Sequence, residues 1–163
     1  MRAFSLAELL VSIAILTIIS AAVLMVMNFG DRVFHMDSGL LQLQQEARRA
    51  TEAISRELRS AHTKSIDAAG AVITFSTPSS SGAKFYRDTV NNRLIREFPA
   101  GTTQIMGNHI TALSFCCWHD DTATCTTDCS GSNLVSLDLT SSNNVRGRDL
   151  SFSLRERVNT RNE

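Results

Sequence analysis

Residues 4–27, FSLAELLVSIAILTIISAAVLMVM, form an apolar run with a single charge, Glu8. Drawn as a helix, the run is roughly 36 Å long at 1.5 Å per residue. That exceeds the hydrocarbon core of a bilayer, which is about 30 Å thick. A cleaved signal peptide is the plainer explanation, and it fits poorly. The segment ahead of the run is only Met1-Arg2-Ala3, and more apolar residues follow the weak cleavage candidate Ser20-Ala21-Ala22. The run is also longer than the usual apolar region of a signal peptide. A single-pass anchor suits it better. Glu8 strains even that reading, because an ionised carboxylate in apolar surroundings costs about 3 kcal/mol on insertion scales and needs a partner.

Past Met27 the pattern changes. Asn28-Phe29-Gly30-Asp31 is a short polar break, and a helical period then resumes. Val33, Met36, Leu40, Leu43, Ala47, Ala50, Ile54, Leu58 and Ala61 recur at steps of three and four, one narrow stripe. Gln44, Gln45, Arg48, Arg49, Glu52, Ser55, Arg56 and Arg59 fall on the opposite face. Arg48–Glu52 and Glu52–Arg56 are four apart, a spacing that adds a few tenths of a kcal/mol to a helix. A coiled-coil stalk would use the same stripe. After Leu43 the stripe turns to alanines alternating with Ile and Leu, which suit a helix lying against a sheet as well as one in a coil. Asp37-Ser38-Gly39 is an expected irregularity, since Gly in a helix interior costs about 1 kcal/mol. The helix is expected to stop near His62–Lys64.

From Ala68-Ala69-Gly70 onward the period becomes two. Strands are expected at Val72–Ser76, Lys84–Arg87, Arg93–Phe98, His109–Cys116, Leu134–Leu139 and Leu150–Arg155. Turn-rich stretches separate them: Pro78 to Gly82, Asn91-Asn92 and Pro99-Ala100-Gly101. In the fourth strand the alternation groups Ile110, Ala112 and Ser114 on one face and Thr111, Leu113 and Phe115 on the other. One long helix followed only by strands makes an α+β chain. Its helix has a transmembrane half and an amphipathic half, packed against a C-terminal antiparallel β-sheet head.

The residues Ala3-Phe4-Ser5-Leu6-Ala7-Glu8-Leu9-Leu10 resemble the processing site of type IV prepilins and type II secretion pseudopilins. Proteins of that family carry a short basic leader, then a Phe at the first mature position, a Glu at the fifth and an unbroken apolar helix. This chain differs in having Ala3 before the cut, where Gly is usual, and in the brevity of its leader. The wider order is similar to PilW-type and GspJ-type minor pilins. The helix ends in SRELRSA (Ser55 to Ala61), a strand pair carries Tyr86 and returns through Leu94-Ile95-Arg96, a strand reads ITALSF, and the tail reads LSFSLRERVNTRN. No proline precedes Pro78, whereas major pilins more often carry one inside the membrane helix.

The resemblance implies a pilin-like fold in four parts: a leader at 1–3, a transmembrane half-helix at 4–27, an amphipathic half at 28–64 and a β-rich head at 65–163. It implies cleavage between Ala3 and Phe4 by a prepilin peptidase and N-methylation of Phe4. It also implies that Glu8 meets the N-terminal amine of a neighbouring subunit, so that two charges costly alone become a pair. The partners implied are other major and minor pilins or pseudopilins, the inner membrane and its assembly platform. The location implied is a single pass through a bacterial inner membrane, with the head in the periplasm or outside the cell. A different class of protein shares most of these features: a bitopic anchor presenting a disulfide-bonded β domain as a receptor or adhesin.

Cys116, Cys117, Cys125 and Cys129 lie within fourteen residues. A membrane helix that places them outside the cytoplasm favours disulfides. Zinc, with His109 or His119 nearby, is the weaker reading, because adjacent strand residues point to opposite faces. Adjacent cysteines rarely pair with each other. Two connectivities stay open: Cys116–Cys129 with Cys117–Cys125, whose nested loops are tidier, and Cys116–Cys125 with Cys117–Cys129. No metal or cofactor is expected. Asp120, Asp121 and Asp128 lack the alternating spacing of a calcium loop. Trp118 reads as a loop anchor rather than a binding platform.

Arg146, Arg148, Arg155, Arg157 and Arg161 read as a solvated edge strand, with a DNA-contact patch the weaker alternative. Sixteen basic and sixteen acidic residues cancel, which argues against a nucleic-acid binder held by bulk charge. No spacing links a nucleophile to a base, and no G-x-S-x-G, phosphate loop or H-E-x-x-H occurs. No catalytic residue and no small-molecule substrate are therefore expected.

Overall fold

In a computed structural model, residues 5–119 and 124–160 are described. The chain divides into two units, residues 1–38 and 39–163. One helix, α1 (Leu6–Arg59), contributes to both.

In the first unit the polar break does not interrupt α1. Asn28 turns its amide back to the Leu24 carbonyl at 2.9 Å, and Asp31 pairs with Nε2 of His35 at 3.3 Å. Polar side chains in the apolar run behave in the same way. Ser12 donates to the Glu8 carbonyl and Thr17 to the Ala14 carbonyl, both at 2.8 Å. These local bonds satisfy the hydroxyls inside the helix, so Ser12 and Thr17 present no unmet donor to apolar surroundings.

In the second unit, the last turns of α1 bury Leu43, Ala47, Ala50, Ile54 and Leu58, which are stripe residues. They also bury Thr51 and Ser55, although Ser55 is expected on the opposite face. At about 100° per residue the buried positions span an arc of roughly 140°, wider than the stripe, and Ser55 lies at its margin. Gly39 does not break the helix either. A β-carbon there would come within 3.0 Å of Val145 Cγ2 and 3.4 Å of Leu150 Cδ1. Its bare backbone lets the helix lie close to a strand pair, an advantage that offsets its poor helix propensity.

α1 ends at Arg59, before the expected His62–Lys64. Ser60 and Ala61 turn back onto Glu57 and Leu58 carbonyls. A strand, β1 (Thr63–Ile66), begins inside the stretch assigned to the amphipathic helix. Eight more follow among the described residues: β2 (Val72–Thr77), β3 (Ser80–Asp88), β4 (Arg93–Glu97), β5 (Thr103–Gly107), β6 (Ile110–Trp118), β7 (Cys125–Thr126), β8 (Leu134–Val145) and β9 (Arg148–Asn159). They form two antiparallel sheets instead of one, in the orders β1-β2-β3-β4-β5 and β7-β6-β8-β9.

Backbone bonds stitch the sheets together. The Phe115 amide donates to the Gly70 carbonyl at 2.7 Å and the Ile110 amide to the Asn92 carbonyl at 2.8 Å. Gly70 has φ 71°, and a β-carbon there would lie 3.1 Å from the Phe115 carbonyl oxygen, so this junction requires glycine.

One core joins the two sheets and the helix. It contains Ala47, Ala50, Ile54 and Leu58 of α1, Ile73 and Phe75 of β2, Phe85 of β3, Leu94 of β4, Ile110, Leu113 and Phe115 of β6, and Val135, Leu137 and Leu139 of β8. Phe75 and Phe85 stack with centroids 5.5 Å apart. Ile110 and Leu113 are both buried, which simple alternation forbids. The register shifts between Ile110 and Ala112, and this bulge returns both side chains to the core.

Candidate functional site

Three groups of residues carry functional expectations: the N-terminal turn, the cysteine loop and the basic tail. Ala3 and Phe4, the processing and methylation candidates, lie outside the described residues, as do Asp120, Asp121 and Arg161.

Glu8 sits in the first turn of α1, where a carboxylate meets the positive end of the helix dipole. Its Oε2 accepts from both the backbone N–H and the hydroxyl of Ser5, and its own N–H donates to Ser5 Oγ, each contact at 3.3 Å. This is a reciprocal capping box, Ser-x-x-Glu, which satisfies amides at a helix start. Within one chain, then, Glu8 has a partner, Ser5. The Ser5-Leu6-Ala7-Glu8 spacing ahead of an apolar run carries that signal in the sequence.

Apart from Ser5 and Ser12, the helix around Glu8 is apolar. Leu6 is 78% exposed and Met27 is 66% exposed, and large apolar side chains between them are exposed too. An 18-residue window reaches a mean hydropathy of 2.8 with none of it buried. The helix is long and apolar enough to cross a membrane, and it is a candidate anchor.

The cysteines form two disulfides, Cys116–Cys125 and Cys117–Cys129, with Cα separations of 5.5 and 5.2 Å. The connectivity is the second of the two left open, not the nested one. Strand geometry explains it. Neighbours on β6 point to opposite faces, so Cys117 reaches inward and Cys116 outward. Cys117 and Cys129 lie in the core, whereas Cys116 and Cys125 are half-buried. All four sulfurs are committed, which removes the thiolates that zinc would need.

Asp128 is committed to its own turn. Its carboxylate accepts from the Ser130 amide at 2.9 Å, and the bonds from Ser130 hold its pKa below the ordinary carboxylate value. His119 Nε2 contacts the Asp128 carbonyl at 2.9 Å.

Most of the basic tail is engaged by the protein itself. Arg157 lies over the Trp118 ring, 4.4 Å from its centroid. That contact joins the indole at the end of β6 to β9. Arg155 pairs with Asp138 across the β8–β9 ladder, and this contact raises its pKa further. β9 ends one side of its sheet, as an edge strand should. Arg146 and Gly147, with φ 51° and 79°, make the two-residue turn between β8 and β9.

Two further contacts went unread in the sequence. Glu57 on α1 binds Arg96 on β4, and Glu46 on α1 lies 3.1 Å from Nδ1 of His109. Both acids project from the flank of the helix toward partners far along the chain, so local spacing does not reveal them.

The described residues define a disulfide-bonded antiparallel β domain behind an N-terminal helix with an apolar, anchor-like first half. No family model matches the chain, and no match is found among curated proteins or solved structures.

Proposed function

We propose that this chain is a minor pilin or pseudopilin, a membrane-anchored subunit that assembles into, primes or caps a pilus-like fibre. The observation that carries the reading is Glu8, a carboxylate in the first turn of a helix whose surroundings are otherwise apolar. Both Ser5 contacts fall on Oε2. Oε1 takes no hydrogen bond or ion pair among the described residues. In this reading it meets the new amine of Phe4 on a neighbouring subunit, released when a prepilin peptidase cuts after Ala3. The pair fixes the axial register of packed helices, in which each charge neutralises the other away from water. The head then sits in the periplasm or beyond, where its two disulfides persist. Its partners are the major and minor subunits of the same fibre and the assembly platform of the inner membrane.

Glu8→Gln tests the reading. It keeps a capping-box acceptor and removes the charge. The variant should reach the membrane at wild-type levels and fail to enter fibres. Wild-type incorporation would contradict the assembly role.

The capping box also favours a second reading. A Glu8 already satisfied by Ser5 needs no neighbour, and a plain bitopic anchor presenting the β domain as a receptor or adhesin would use it only to start the helix. Under that reading Ser5→Ala and Glu8→Gln have similar, small effects. Under the first, only Glu8→Gln abolishes assembly.

A further inference from the structure

The solvent-facing side of the five-stranded sheet carries an aligned apolar row. Four strands contribute one residue each, and each is the register partner of the next: Val72 with Tyr86, Tyr86 with Ile95, and Ile95 with Ile105. The intervening residues Ile73, Phe85 and Leu94 point the other way, into the core. None of the four row residues belongs to the core cluster, although Ile95 is buried, at 8% exposure, and Val72 and Tyr86 are half-buried. Ile105 is 51% exposed, and a shallow recess of about 410 Å³ lies over Tyr86 and Ile95. At about 4.8 Å per strand the row is roughly 14 Å long.

Charge flanks it on both sides. Two residues along β3 and β4 in one direction, Lys84 faces Glu97; two residues in the other, Asp88 faces Arg93. Lys84, Tyr86 and Asp88 share a face of β3, and Arg93, Ile95 and Glu97 share the matching face of β4. The four charges make a square with like signs on the diagonals. Such a square is complementary to its own image. A two-fold axis lying between two such faces and parallel to them, along the row or along the strands, lays every cation on a carboxylate and the apolar row on itself. Isologous dimers have this self-complementarity, and face-to-face sheets pack at about this alignment.

We infer that this face binds a second copy of the chain, sheet against sheet, through Val72, Tyr86, Ile95 and Ile105, with Lys84, Asp88, Arg93 and Glu97 setting the orientation. The patch is small. It falls in the class of weak, transient interfaces, and confinement by the candidate anchor raises the local concentration that such an interface needs. The inference requires no fibre, so it stands or falls separately from the pilin reading.

Cross-linking of the full chain in lipid vesicles tests it. The native cysteines are paired, so an added cysteine is the reactive one. With a short bis-maleimide, Ile105→Cys links to itself if the axis follows the row. Ile105→Cys mixed with Val72→Cys links if the axis follows the strands. Val90→Cys, 86% exposed and off the row, serves as the background. The expected product is a covalent dimer well above that background in one of the two experiments. Adding Lys84→Glu places like charge on like charge under either axis and should cut the yield about tenfold. No yield above Val90→Cys in either experiment, or a yield indifferent to Lys84→Glu, would overturn the inference.

Discussion

Glu57 on α1 and Arg96 on β4 meet through a single nitrogen. Nε of Arg96 donates to both carboxylate oxygens, at 2.7 and 2.9 Å, with the two side chains only 22% and 18% exposed. The pair ties the helix to the first sheet across 39 residues of chain. Glu57→Gln should lower stability by about 1–2 kcal/mol, the usual worth of a charge-assisted bond lost at a half-buried site. Arg59, 3.6 Å from Glu156 and 65% exposed, should lose less than about 0.5 kcal/mol on truncation to Ala. Chemical unfolding of the full chain in detergent gives both numbers.

Gly39 and Gly30 lie on the same helix and should respond in opposite ways. Gly30 has open space around its Cα, so Gly30→Ala removes only the glycine penalty and adds up to about 1 kcal/mol of helix stability. Gly39→Val drives a branched side chain into Val145 and Leu150 and should cost about 1–3 kcal/mol. Thermal unfolding followed by circular dichroism separates the two.

The two disulfides should differ in how readily they reduce. Cys116–Cys125 is half-buried and Cys117–Cys129 is in the core. Graded reduction with alkylation should label Cys116 and Cys125 first. Each bridge closes a short loop, with separations of 9 and 12 residues, worth about 3 kcal/mol in the chain-entropy account. Cys117→Ala with Cys129→Ala should cost more than the outer pair of substitutions, because it also empties core volume.

Asp88 makes the β3–β4 turn sensitive to acid. Its pKa is held below the ordinary carboxylate value, first by the Asn91 side chain and then by the Val90 amide. Folding thus favours the ionised form. The stability this adds is complete above the unfolded pKa, about 3.9, and is lost as pH falls through the lower folded value. Asp88→Asn keeps an acceptor for the turn and should flatten the acid limb of a melting-temperature profile while changing little at neutral pH.

Much of this architecture was legible because apolar periodicity marks a contact face directly. The stripe from Leu43 to Leu58 and the alternation at Val72–Ser76 needed no tertiary knowledge. The missing pieces lacked that signal. β5, Thr103–Gly107, is short and ends in a glycine where a β-carbon would crowd Ala50 of α1 at 3.3 Å. The second half of β8, Thr140 to Val145, is nearly all polar; it is a strand because β9 pairs with it residue for residue. Ile110 was assigned to the wrong face because a bulge is invisible to a strict count of two. At the N-terminus the reverse held: the Ser5–Glu8 spacing was in plain view, and the pull of Glu8 toward a partner outside the chain obscured the one three residues away.

If the chain is processed and assembled as a pilin-like subunit, the N-terminus of the protein purified from membranes of its own host carries the mark of it. Intact mass with N-terminal peptide sequencing should find a chain that begins at N-methylated Phe4, with Met1, Arg2 and Ala3 gone. A chain that retains Met1, or one cut near Ala22, would contradict the account and leave a bitopic or secreted β domain in its place.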